Sequence, residues 1–151
     1  ENVVKALLRL PSVVDEEKKN LEKARQLLKF VELEAKENEL ACNMSYGQQK
    51  LLEIARALAI DPQLLLLDEP ASGLNPVIKK KVFELIGKLH EQGKTVCIVE
   101  HDMETVMGLC QRVIVLDAGR KIAEGSPKEI QKNKKVLEAY LGHPKKQKGG
   151  S

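Results

Sequence analysis

The stretch Met44-Ser-Tyr-Gly-Gln-Gln-Lys-Leu-Leu-Glu-Ile-Ala-Arg-Ala-Leu-Ala-Ile-Asp-Pro-Gln-Leu-Leu-Leu-Leu-Asp-Glu-Pro70 decides how this chain is read. A polar turn with a glycine precedes a segment of helix formers whose apolar residues Leu51, Leu52, Ala55 and Leu58 recur at helical spacing. Asp61-Pro62 stops that helix, expected over Gln48 to Ile60. Four leucines, Leu64 to Leu67, then read as a short strand buried on both faces. The strand ends in two acids, Asp68 and Glu69, where open α/β sheets keep their ligand crevice.

Downstream, Pro76 suits the first turn of a helix carrying Val77, Val82, Leu85, Ile86 and Leu89, and Gly93 suits its C-terminal end. Thr95 to Val99 reads as a second apolar strand leading into Glu100-His101-Asp102. Asp102 can cap a helix over Met103 to Cys110. Val113 to Leu116 reads as a third strand that turns at Ala118-Gly119, with Arg120 to Glu124 as a hairpin partner. Pro127 opens a last helical stretch to Leu141. Alternation of strands and helices with continuous hydrophobicity predicts a parallel sheet covered by helices. Upstream, residues 12–37 are charged and helical, with Leu21, Leu27, Leu28, Val31 and Leu33 forming one apolar face.

Composition fits an α/β domain. Of 151 residues, 42% are hydrophobic and 31% charged, and the net charge is +3. Part of that charge lies in the tail lysines Lys145, Lys146 and Lys148, so no basic nucleic-acid footprint is present. No apolar run reaches the roughly 20 residues of a spanning helix. Cys42, Cys97 and Cys110 lack C-x-x-C spacing and fit a reducing compartment.

Each motif has a plain alternative. Ser45 three residues before Gln48 has the form of a capping box, yet a serine and a glycine at a helix start also make an anion-binding end. Asp68-Glu69 could be a strand end reaching solvent, or a Mg²⁺ partner beside a base. His101 could touch a terminal phosphate or be a surface histidine. A G-x-x-x-x-G-K-[ST] phosphate loop is missing, because Gly87 and Gly93 have five residues between them instead of four, and a helix precedes the stretch while a strand follows it, the reverse of the required order. No G-x-S-x-G elbow and no paired metal-ligand spacing is present either.

Taken in order, these motifs resemble the ATP-binding subunit of an ABC transporter, with MSYGQ in place of L-S-G-G-Q, LLLLDEP as Walker B, ASGLNP as the D-loop and His101 as the switch histidine. EIARALA, DEPASGLNP, VEHDMETVMGLCQRVIVLDAGRKIAEGSP and VLEAYLG are most similar to the ATPases of branched-chain amino acid importers; lipopolysaccharide-export and urea-importer ATPases are near alternatives. Tyr46 stands for a family glycine and Asn75 for the usual D-loop aspartate.

The resemblance, from Glu1 to about Gly142, implies a partial P-loop NTPase-type parallel sheet with flanking helices plus an α-helical signature subdomain. It divides the chain into residues 1–62, holding the signature, residues 63–142, the second half of the ATPase core, and a tail, 143–151. It implies that the chain begins after the phosphate loop. It further implies ATP and Mg²⁺ as cofactors, Glu69 as general base, Asp68 at the metal and His101 at the γ-phosphate. Ser45, Tyr46, Gly47 and Gln48 would meet nucleotide held by the other subunit, and Ser72, Gly73, Leu74 and Asn75 would link the two sites. The implied partners are a second ATPase subunit and transmembrane permease subunits, at the cytoplasmic face of the membrane. A non-hydrolysing module docking on a permease, and an ABC-type ATPase of DNA repair or translation, are the rival readings.

Overall fold

The computed structural model describes residues 11–141; the expected tail lies outside them. The chain divides into two units, one ending at Val99 and one beginning at Glu100.

In the first unit, helix α1 (Pro11–Phe30) is followed by two single 3₁₀ turns, Glu34–Lys36 and Ala41–Asn43. The turn after α1 carries Val31 and Leu33 inward, with 0% and 3% of their surface exposed. Glu32 between them adopts φ 58° and pairs with Lys81 at 2.7 Å. Helix α2 (Tyr46–Leu58) starts two residues earlier than its apolar spacing predicts, because Ser45 caps it. It packs on α1 and buries Leu51, Ile54, Ala55 and Leu58. Leu51, Ile54 and Leu58 each contribute on the order of 1.5–3 kcal/mol by leaving water, and the single methyl of Ala55 less.

Strand β1 (Leu64–Asp68), helix α3 (Pro76–Glu91) and strand β2 (Thr95–Val99) follow. The strands pair in parallel, Leu64 with Thr95 through Asp68 with Val99. Helix α3 has Pro76 in its first turn and packs on β2. Gly93, at φ 87°, takes the left-handed position that ends α3 and turns the chain toward β2. Lys94 ties the two strand starts together, donating to Asp61 Oδ1 at 2.7 Å and to the Pro62 carbonyl at 3.1 Å.

Only one face of β1 is buried, unlike the sequence expectation. Leu65 is 3% exposed, whereas Leu66 is 72% exposed. Period-2 side-chain alternation puts Leu64, Leu66, Cys97 and Val99 on one face, and all four are exposed. Among the described residues that face is left mostly open.

The second unit holds helix α4 (Met103–Leu109), strands β3 (Val113–Asp117) and β4 (Arg120–Gly125), and helices α5 (Pro127–Gln131) and α6 (Lys134–Leu141). Here β3 pairs antiparallel with β4 in a separate two-stranded sheet and does not extend the parallel pair. The tight turn at Ala118 and Gly119, with φ of 45° and 75°, makes the local partner the nearer one. Between the Val115–Ala123 and Leu116–Lys121 pairs, Ile122 is the extra residue of a bulge. The core is Val113, Ala123, Ile130 and Val136, flanked by Met103, Val106 and Met107.

Candidate functional site

Asp68 is the last residue of β1 and is exposed. Pairing continues one residue further, since the Glu69 N–H donates to the Val99 carbonyl at 2.9 Å. Glu69 then adopts φ 41°, a left-handed conformation that a non-glycine residue holds only where its surroundings impose it. The backbone folds back at once. Ser72 N–H donates to the Glu69 carbonyl at 3.0 Å and Leu74 N–H to the Ala71 carbonyl at 3.3 Å. Gly73 supplies φ 71° in this turn, and the Asn75 side chain accepts from Ile78 N–H at 3.0 Å, capping α3.

The start of α2 lies beside this loop. Ser45 Oγ accepts from Gln48 N–H at 3.4 Å, and Gln48 Oε1 accepts from Ser45 N–H at 2.9 Å, so the capping box is formed. Gln49 Nε2 donates to the carbonyls of Ala41 and Met44, anchoring the approach to the helix. The first-turn N–H groups and the helix dipole make this end electropositive. Tyr46 donates its hydroxyl to the Ser72 carbonyl at 3.5 Å. Gly47 faces α3: a Cβ there would sit 3.2 Å from Ile78 Cγ2. The structure therefore brings Tyr46 beside Ser72 and Gly73, and Gly47 beside Ile78.

A pocket of about 180 Å³ lies between α2 and the end of β1, lined by Lys50, Glu53, Ile54, Leu66, Leu67, Asp68 and Pro70. The sequence reading missed Lys50 and Glu53. Their spacing from Tyr46, four and then three residues on, puts all three on one stripe of α2, a signal that could have found them. Lys50 Nζ pairs with Glu53 at 2.9 Å and lies 5.8 Å from the Tyr46 ring centroid. The Glu53 hydrogen bond raises the Lys50 pKa above its ordinary value, against an opposing effect of burial.

His101, the second residue of the second unit, is exposed. Beside it, Asp102 caps α4 by accepting from Glu104 N–H at 3.2 Å and Thr105 Oγ1 at 2.8 Å. Glu100 keeps one buried carboxylate oxygen, Oε1, with no hydrogen-bond partner among the described residues.

The family described as "ABC transporter" matches residues 2–72, and the family described as "Branched-chain amino acid ATP-binding cassette transporter" matches residues 120–146. The high-affinity branched-chain amino acid transport ATP-binding protein LivG of Escherichia coli is 41% identical over 137 residues, 90% of this chain and 54% of that protein. The corresponding protein BraF of Pseudomonas aeruginosa is 39% identical over 142 residues, 93% of this chain and 56% of that one. Nod factor export ATP-binding protein I of Rhizobium johnstonii is 46% identical over 121 residues, 78% and 39% of the two chains.

Among solved structures, a nucleotide-free ATP-binding cassette from an ABC transporter superposes with a TM-score of 0.76 at 31% identity, covering 94% of this chain and 57% of that one. An ATP-binding cassette of an ABC transporter in its ADP conformation gives 0.75 at 34% identity, covering 82% and 50%. The chain spans about half the length of the branched-chain transport relatives it matches.

Proposed function

Because the chain belongs to the ATP-binding subunits of ABC transporters, we propose that it is part of the subunit whose ATP hydrolysis drives branched-chain amino acid import. Residues 1–62 then form the helical subdomain with the signature, and 63–142 the second half of the catalytic core. Its partners are a second ATPase subunit and the permease, at the cytoplasmic face of the membrane. Among the described residues no helix is long and apolar enough to cross a membrane.

The observation that carries the reading is the strained Glu69, at φ 41° directly after Asp68. Strain at an acid on a strand end is the kind of local cost that functional sites hold. Glu69 takes the proton of the attacking water, and His101 donates a hydrogen bond to the terminal phosphate. Ser45, Tyr46, Gly47 and Gln48 close over nucleotide held by the other subunit, through N–H groups at the α2 start.

The donor set suits Mg²⁺. Among the described residues no group of three His, Cys, Asp or Glu could hold a metal alone. Mg²⁺ commonly takes one or two carboxylates and leaves its other positions to water and phosphate, which Asp68 fits. When bound, it would offset the charge of the phosphates.

The test is Glu69→Gln in a longer protein that includes a phosphate loop. Turnover should fall by on the order of 10² to 10⁴, the cost of losing a positioned base, while ATP binding persists. Undiminished turnover would remove Glu69 from the role.

A second reading is a module that docks on a permease or partner ATPase without hydrolysing; these 151 residues themselves hold no G-x-x-x-x-G-K-[ST]. Under either reading this chain alone should show no saturable MgATP binding by titration calorimetry. Saturable binding would mean that a cradle exists here outside the known loop pattern.

A further inference from the structure

Two successive residues of the MSYGQ turn touch the 72–78 segment, by different means. Tyr46 does so with its ring: a Cβ built on Gly73 would meet Tyr46 Cε1 at 3.4 Å and its hydroxyl oxygen at 3.8 Å. The hydroxyl bond to the Ser72 carbonyl, at 3.5 Å, is long, and the ring stands about one methyl's contact from Gly73 beside it. Gly47 does so by lacking a side chain, since a Cβ there would stand 3.2 and 3.3 Å from Ile78 Cγ2 and Cγ1. A methyl at that position would push the Ile78 side chain back by a few tenths of an ångström, so the glycine hydrogen lets the first turns of α2 and α3 sit close.

We propose that Tyr46 and Gly47 form a latch that makes the α2 start and the 72–75 loop move as one body, with Tyr46 as the positioning residue. The loop begins three residues after Glu69 and is hydrogen-bonded to its carbonyl. A displacement of the MSYGQ turn is thereby passed, inside one chain, toward the acid at the end of β1. That consequence for hydrolysis rests on the function proposed above; the contact itself does not.

The experiment is site-resolved amide hydrogen exchange on this chain, which needs no nucleotide. Ser72 and Leu74 N–H report the loop through their bonds to Glu69 and Ala71, and the β1–β2 amides report the unit that carries it. Tyr46→Ala should speed exchange at Ser72 and Leu74 about tenfold and leave β1–β2 unchanged, whereas Tyr46→Phe, which keeps the ring, should restore most of the protection. Unchanged exchange at Ser72 and Leu74, or equal acceleration throughout β1–β2, would overturn the latch.

A second readout stands if Tyr46→Ala does not fold. The chain has no tryptophan and two tyrosines, so a Tyr140→Phe chain emits from Tyr46 alone. Gly73→Ala in that background should alter the emission intensity, because the new methyl meets the ring. Identical emission would overturn the ring contact. Loss of either result leaves the Glu69→Gln test intact, and the reverse also holds.

Discussion

The two small sheets solve the same problem unequally. In the β3–β4 hairpin, exposed Ile114 faces Glu124 and exposed Leu116 faces Lys121, so each outward apolar residue has a charged neighbour across the ladder. The opposite side closes on Ile130 and Val136 from the helices that follow. In the parallel pair, outward Leu64 and Leu66 face Thr95 and Cys97, and Val99 stands beside Asp68. That face is mostly apolar and bare. Parallel sheets are normally covered on both faces, so the bare side of β1–β2 calls for cover that the described residues do not supply. The hairpin depends on its neighbours in sequence, the parallel pair on residues elsewhere.

The largest expected effect tests the buried sides of both sheets. Leu65→Ala and Ile130→Ala each remove a side chain that is 3% and 1% exposed, and each should cost about 2–5 kcal/mol by urea unfolding, with loss of amide protection in its own unit. A cost below about 1 kcal/mol at Leu65 would mean that even the inner face of the parallel pair is loosely packed.

Much of this arrangement was legible from local signals. Ser45 and Gln48 announced the capping box, Pro76 and Gly93 the ends of α3, and Asp102 the start of α4, because caps and turns are written in a few adjacent residues. The turn at Ala118-Gly119 likewise announced Arg120 to Glu124 as the hairpin partner of Val113 to Leu116. What is not written locally is which sheet that hairpin joins: Val113 to Leu116 has the apolar run of a parallel-sheet strand, yet it stands in a separate sheet. The bare face of β1 was likewise hidden, since four consecutive leucines look the same whether one side or both are covered. At the candidate site the order Ser45, Asp68, Glu69 and Ser72 to Asn75 could be read in advance. The strained φ of Glu69 and the approach of Tyr46 to Gly73 could not, because both arise from tertiary packing.

A smaller effect separates how the two registers are held. The hairpin is set by its two-residue turn, whereas the parallel pair relies on Lys94 reaching Asp61 and Pro62 at its start. The hydrogen bond from Lys94, and next its charge, hold the Asp61 carboxyl below its ordinary 3.8, against a small opposing effect of burial. A carboxylate with a lowered folded pKa contributes stability that is complete above 3.8 and is lost as pH falls through the folded value. Asp61→Asn should therefore lower the neutral-pH urea midpoint slightly and flatten its decline in acid. The flattening is partial, because Glu32 beside Lys81 and Glu124 beside Lys121 are lowered in the same direction. An unchanged acid profile would show that Lys94 holds the strand start through the Pro62 carbonyl alone.

The smallest expected effect is also the sharpest test of the contrast. Leu66→Lys lies one residue from Leu65 on the same strand, but its side chain points to the bare face and is 72% exposed. A lysine there loses little burial and keeps its charge in water, so stability should change by less than about 0.5 kcal/mol. The same substitution on a covered face would strand a charge in apolar surroundings and cost several kcal/mol. The measurement is thus read against its neighbour: a large loss at Leu65 with almost none at Leu66 keeps the parallel pair one-sided. Equal losses at both would mean that the face is covered in solution, and the difference between the two sheets would disappear.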